Sequence, residues 1–339
     1  MYSPATYGGA GWRLRESSHK EDIKGGGVWH SCGVRSEAGK LLEVLLTYPS
    51  PEMLPEGQPN EFLFLERPDI KKLQQQAETI AQFYQEQGVT VRWARPSPAL
   101  LPNFLFQRDL FWMTPEGALL CRPASQQRAR EARFTAAALA ELGIPILATP
   151  RGRALFEGAD ALWLDHNTVL IGVGLRTNEA GAGFVSHVLR DLNINSVTVR
   201  LPEGIQHLLG IVNFVDRKLA AVRRDKATNE LLGILREAAV EVVFCEPVPD
   251  LVERLGMNFV TLASGRVVMP SGCPSVRDRL NDAGVITHEL DISEYCKAAG
   301  GLGCLTGIIR RQELPEIVSH KEAQKHKDER RREYQNNGT

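Results

Sequence analysis

Apolar residues along this chain follow two periods that take turns. Over 69–87, 126–142, 180–192, 228–239 and 274–283 they recur every three or four positions, which predicts five amphipathic helices. Several of these stretches run into a glycine, as in "ELGIP" and "NDAGV", a signal for a helix C-cap. After each comes a short run rich in β-formers: "VTVRWA", "PILAT", "SVTVR", "VEVVF" and "VITHEL". Ahead of the last four helices lie strand pairs around a polar turn, among them "LFWMTPEGALLC", "ALWLDHNTVLIGV" and "FVTLASGRVVMP". The first helix is preceded by one clear strand, "LLEVLLTYP". The chain thus reads as an α/β protein of ββαβ units recurring about every fifty residues.

A solenoid would repeat residues as well as positions, and would need polar caps. Here the helices match in position alone, which points to one closed domain over 29–312. Residues 1–28 read as an irregular, glycine-rich lead-in. Residues 313–339 are dense in charge and read as a solvated helix or a disordered tail.

Composition narrows the class without identifying it. The 339 residues are 43% hydrophobic and 24% charged, ordinary for a globular protein with a large core. A formal net charge of -1 gives no general attraction to nucleic acid or to an anionic membrane. Residues 1–20 lack an apolar segment of signal-peptide type, and no 18-residue apolar run occurs, so the expectation is a cytoplasmic protein. The six cysteines (32, 121, 245, 273, 296, 304) form neither a CxxC pair nor a Cys/His metal spacing. They read as reduced thiols, with no metal and no cofactor expected.

The unusual polar residues fall just ahead of the repeated units. Arg108 and Asp109 lie in "NFLFQRDLFW", Glu157 and Asp160 in "LFEGADALWL", and His207 in "GIQHLLGIVNFVD". Asp109 to Glu157 spans 48 positions, Glu157 to His207 spans 50, and His207 to Cys304 spans 97, about two units. Each has a plain structural alternative: Asp109 a turn cap, "EGAD" a capped hairpin, His207 a core histidine, Cys304 a small buried filler among glycines. Shared phase argues for a common role, because ring closure brings equal phases to one axis. A thiolate is a nucleophile, and a histidine moves protons. Two carboxylates facing one pocket need a cation between them, and a guanidinium matches carboxylates in shape and charge.

The series "FQRD", "FEGAD", "GLRTN", "HLLG" and "GGLGC" resembles the motifs of the guanidino-group-modifying superfamily, over roughly residues 32–311. That superfamily includes arginine deiminases, dimethylarginine dimethylaminohydrolases and amidinotransferases. The resemblance implies the pentein fold, an α/β propeller of five ββαβ units around a pseudo-fivefold axis. It implies Cys304 as covalent nucleophile, His207 as general acid and base, and Glu157 as partner of that histidine. It places Glu157 at the guanidinium as well and Asp109 at the guanidinium's other edge, Asp160 among the substrate-binding residues, and Arg176 at the substrate's α-carboxylate with help from Arg128 or Arg130. One position departs. Arginine deiminases and amidinotransferases typically carry His-x-Asp, whereas Leu209 stands here. That makes a substituted guanidine a better expectation than plain arginine, with hydrolysis favoured over amidino transfer. A non-catalytic binding protein of the same fold is the remaining alternative. The expected partner is a small guanidino compound, with no nucleic acid and no membrane; a homo-oligomer is left open.

Overall fold

The protein is described by a computed structural model that covers residues 3–95 and 101–315. The charged tail expected over 313–339 lies, beyond residue 315, outside the described residues. Five three-stranded sheets are present among the described residues. In four of them the chain makes an antiparallel hairpin, a helix, and a third strand parallel to the hairpin's second strand. Phe111–Thr114, Gly117–Leu120 and Ile146–Ala148 form the first such sheet, and Ala161–Trp163, Thr168–Val173 and Asn195–Arg200 the next. The ββαβ unit is therefore the repeat, and five units circle a pseudo-fivefold axis.

The fifth sheet explains why one unit looked incomplete. Leu41–Thr47 pairs in parallel with Thr90–Ala94 on one side and antiparallel with Gly307–Arg311 on the other. Its missing strand comes from the far end of the fold. "GIIRR" reads in sequence as an apolar run with a basic stop, because nothing nearby in the chain is available to pair with it.

The helices arise from the apolar stripes already noted. Ile70–Glu86 buries Leu73, Ala77, Ile80 and Tyr84 along one face, and Asp69 caps it by accepting from the Lys71 and Lys72 backbone N–H groups. Glu179–Asp191 and Asn229–Glu237 are capped in the same way by Asn178 and Thr228. The helix expected over 126–142 is shorter. Gln126–Arg128 is a 3-10 turn, and the α-helix spans Ala132–Glu141. The Arg128 side chain is drawn inward to Asp109 and Glu131, which fixes the turn before the helix begins. The lead-in is also more ordered than expected: Ser18 and Glu21 form a capping box that starts a helix over His19–Gly25.

Polar stitches join neighbouring units near the axis. Thr47 Oγ1 donates to the Phe104 carbonyl at 2.7 Å, Asn213 Nδ2 to that of Phe259 at 2.8 Å, and Arg311 Nη1 to that of Thr261 at 2.7 Å. Each satisfies a buried carbonyl with a side chain from a neighbouring unit, so the ring holds by directed bonds as well as by its apolar core.

Candidate active site

Each unit hands over to its hairpin through a short turn, and these turns collect at one end of the axis. Asp109 closes the 3-10 turn Gln107–Asp109, Glu157 precedes Gly158–Asp160, His207 precedes Leu208–Gly210, and Cys304 sits in the short helix Leu302–Leu305. All are buried, with Cys304 8% exposed and His207 6%. Asp109, His207 and Cys304 line one small cavity of about 20 Å³, together with Arg128, Arg176 and Asn103.

His207 Nε2 lies 2.7 Å from Glu157 Oε2 and 3.9 Å from Asp109 Oδ1. Burial works against a charged imidazole, but Asp109, Glu157 and Asp160 together outweigh it and hold His207 up at about 9. Burial would likewise raise the Glu157 carboxyl. The His207 hydrogen bond and the nearby Arg128 and Arg176 charges reverse this and keep it well below the usual range. Burial pushes the Cys304 thiol up to about 11, and the Asp109 charge adds to that. At neutral pH the resting site therefore pairs a neutral thiol with an imidazolium.

Arg128 supplies a cation inside this set. Its Nη1 lies 2.7 Å from Asp109 Oδ2 and 3.6 Å from Glu157, while Nε bonds Glu131 at 2.9 Å. The neighbouring Arg130 is exposed, so of the two candidates Arg128 is the one that faces inward. With one Asp109 oxygen engaged by Arg128, the other, Oδ1, is buried and accepts no hydrogen bond from the described residues, with the His207 ring 3.9 Å away. Asp109, Glu157 and His207 each offer one atom within 4.8 Å of the others, a spacing that could also hold a cation. Its members come from three units, and the equal phase of Asp109, Glu157 and His207 along the chain is what brings them together.

The remaining candidates fall around this centre. Arg176 lines the cavity, with Nη1 3.5 Å from Glu157 Oε1. Asp160 lies behind it: Oδ2 accepts from the Thr177 hydroxyl at 2.6 Å and Oδ1 from the Leu208 N–H at 2.9 Å. Burial raises the Asp160 carboxyl to about 7. Leu209 is buried against the cysteine loop, so close that a Cβ on Gly303 would lie 3.0 Å from its Cδ2.

The structure adds Asn258, which sequence reasoning passed over. Its Nδ2 donates to Cys304 Sγ at 3.0 Å, and its Oδ1 accepts from the Cys304 N–H at 3.1 Å. A signal existed. The 97-residue gap between His207 and Cys304 spans two units, and Asn258 stands 51 residues past His207, two residues ahead of the strand Val260–Ala263. The glycines flanking Cys304 are there for close approach. A Cβ on Gly300 would lie 2.1 Å from Phe106 Cε1, and one on Gly301 2.8 Å from the Asn258 side chain.

Known proteins resemble this chain over part of its sequence and in its fold. The family model described as arginine deiminase matches residues 98–219. A dimethylarginine dimethylaminohydrolase of Pseudomonas aeruginosa is 24% identical over 243 residues, covering 71% of this chain and 90% of that protein. Among solved structures, an amidinotransferase of saxitoxin biosynthesis from Microseira wollei superposes with a TM-score of 0.69 at 16% identity, covering 84% of this chain and 98% of the other. The N-terminal domain of a cyanobacterial arginine dihydrolase superposes with a TM-score of 0.68 at 18% identity, covering 80% of this chain and 98% of its own. No helix among the described residues is long and apolar enough to cross a membrane.

Proposed function

We propose that the chain is a guanidino-group-modifying enzyme of the pentein superfamily, that it acts on a guanidino compound through a covalent thiouronium on Cys304, and that water resolves the adduct; the partial family-model match and the shared fold support this reading. The observation that carries this is the unpartnered Asp109 Oδ1, buried in a cavity lined by Cys304 and His207. An acceptor left open beside a thiol and an imidazolium calls for a cationic N–H donor, and a guanidinium supplies several.

The chemistry follows from the charges. A substrate cation beside the neutral thiol favours the thiolate, because opposite charge stabilises the ionised form, and the thiol's proton leaves to solvent as the substrate binds. Sulfur attacks the central carbon, and the carbon–nitrogen bond to the departing amine breaks. His207 as imidazolium gives that amine its proton, and Glu157 stabilises the charged imidazole beforehand. The histidine, now neutral, takes a proton from water as it attacks the thiouronium. A ureido product leaves and the thiol is restored. Arg176 is the group for a substrate carboxylate, since Arg128 is already tied to Asp109, Glu131 and the Asn103 carbonyl. A second reading, amidino transfer to an amine, is favoured by one feature: Cys304 also lines a second cavity where an acceptor would fit.

Intact-mass measurement after mixing the protein with arginine and N-substituted arginines tests the proposal. An amidino-type adduct is expected on the wild-type protein and none on Cys304→Ser, with an ureido product in water and a new guanidine if an amine acceptor resolves it. Turnover retained in Cys304→Ser, or no adduct with any guanidino compound, overturns it.

A further inference from the structure

Cys304 and His207 stand between two cavities. The one containing Arg128 and Arg176 measures about 20 Å³, and the second about 310 Å³. Ile205, Leu209, Leu251 and Met257, all buried, form the second cavity's wall, and Val252 and Leu65 form its exposed edge. Apart from His207 at the boundary with the smaller cavity, its charged groups are peripheral: Arg223 is paired with Asp225 at 2.8 Å, and Glu253 is exposed; Gln206 and Asn258 are its other polar lining.

We propose that this cavity seats an apolar group on the departing nitrogen, and that the substrate class is a guanidino acid whose scissile nitrogen carries a chain longer than methyl. The inference rests on the thiouronium reading. A guanidinium has three nitrogens around the attacked carbon. One continues into the arm whose carboxylate meets Arg176, and one donates to Asp109 Oδ1. The third departs, and it must face His207 to receive its proton. His207 and Cys304 both line the larger cavity, so whatever the third nitrogen carries extends there. On that wall Leu209 presents carbon and no acceptor, which matches an alkyl group. The volume lies at the low end of the roughly 300–1,000 Å³ of small-molecule sites, far more than a methyl group fills.

The step balances. The sulfur–carbon bond forms and the bond from carbon to the substituted nitrogen breaks. Its electron pair stays on nitrogen, His207 supplies the proton, and a free alkylamine leaves. The thiol's own proton has gone to solvent on substrate binding; water then gives one proton to His207 and its hydroxyl to the thiouronium carbon, the carbon–sulfur bond breaks, and the hydroxyl's proton returns to sulfur as the ureido acid leaves.

The test is a series of Nω-methyl-, ethyl-, propyl- and butylarginine. In the wild-type enzyme kcat/KM is expected to rise about fourfold per added methylene, as for transfer of a methylene out of water. In Val252→Trp, an exposed position where an indole would fill the cavity, the rise is expected to vanish. Equilibrium binding of the same series to Cys304→Ser should show the same trend without any reaction. A flat or falling series in the wild type, with adducts still forming on Cys304, overturns this inference and leaves the thiouronium reading intact. A rise that survives in Val252→Trp also overturns it, because the chain then lies elsewhere. Affinity that rises with chain length in Cys304→Ser, with no adduct in the wild type, keeps the seat and removes the covalent reading.

Discussion

Asn258 grips Cys304 at both its sulfur and its backbone nitrogen. The bond to sulfur favours the thiolate against the burial that pushes it up. Asn258→Ala removes it, and it leaves the Cys304 N–H without its acceptor, a cost of about 1–3 kcal/mol. Alkylation of Cys304, followed by peptide mass spectrometry, should become slower at pH 8 in that variant, and its melting temperature should fall. Unchanged alkylation would mean that the amide only packs. His207 gives a second residue-scale expectation. Its value is raised in the folded protein to about 9, from an ordinary 6.5, so its charged interactions stabilise the fold fully below pH 6.5. That stability is lost as pH rises through 9. The difference in melting temperature between wild type and His207→Asn should therefore be largest near pH 6 and shrink by pH 9.5. A constant difference would mean that the imidazole is not charged in the folded state.

Among elements, the glycine-rich loop is the least tolerant of change. A Cβ at Gly300 would meet two carbons of the Phe106 ring at 2.1 and 2.5 Å, and Phe106 is itself in the core. Gly300→Ala is expected to cost about 1–3 kcal/mol through overpacking and to reduce activity further by displacing Cys304. Adding Phe106→Leu should restore part of the stability in urea unfolding; no recovery would place the strain elsewhere. This loop also shows what sequence can and cannot reveal. The repeat was legible because helix and strand periods are local, and so the shared phase of Asp109, Glu157, His207 and Cys304 could be read off by counting. Asn258 was missed because an asparagine inside "GMNFVTL" carries no chemical signal of its own. The inward turn of Arg128, and the retreat of Asp160 behind Thr177 and Leu208, depend on partners 17 to 48 residues away. Counting along the chain says nothing of which oxygen faces the cavity. The strand Gly307–Arg311 was hidden for a related reason, since its partner begins at Leu41.

At the scale of the whole molecule, that pairing closes the ring. Leu41 meets Arg311, and Leu45 meets Gly307, across almost the full length of the domain. Contacts so distant in sequence make folding slow, because closure entropy must be met before they form. A chain stopped after Leu305 is expected to lose the cooperative unfolding transition seen by circular dichroism; an intact transition would show that four units suffice. The closing strand begins three residues past Cys304, which sets an order of events during synthesis. The ribosome releases Asp109, Glu157, His207 and Asn258 first, while the edge of the first sheet still lacks its partner strand. The nucleophile emerges almost together with the strand that locks it in place. A chain stopped ahead of the closing strand thus exposes most of the site's side chains without a thiol held in place, so that reactivity is expected only with completion of the ring.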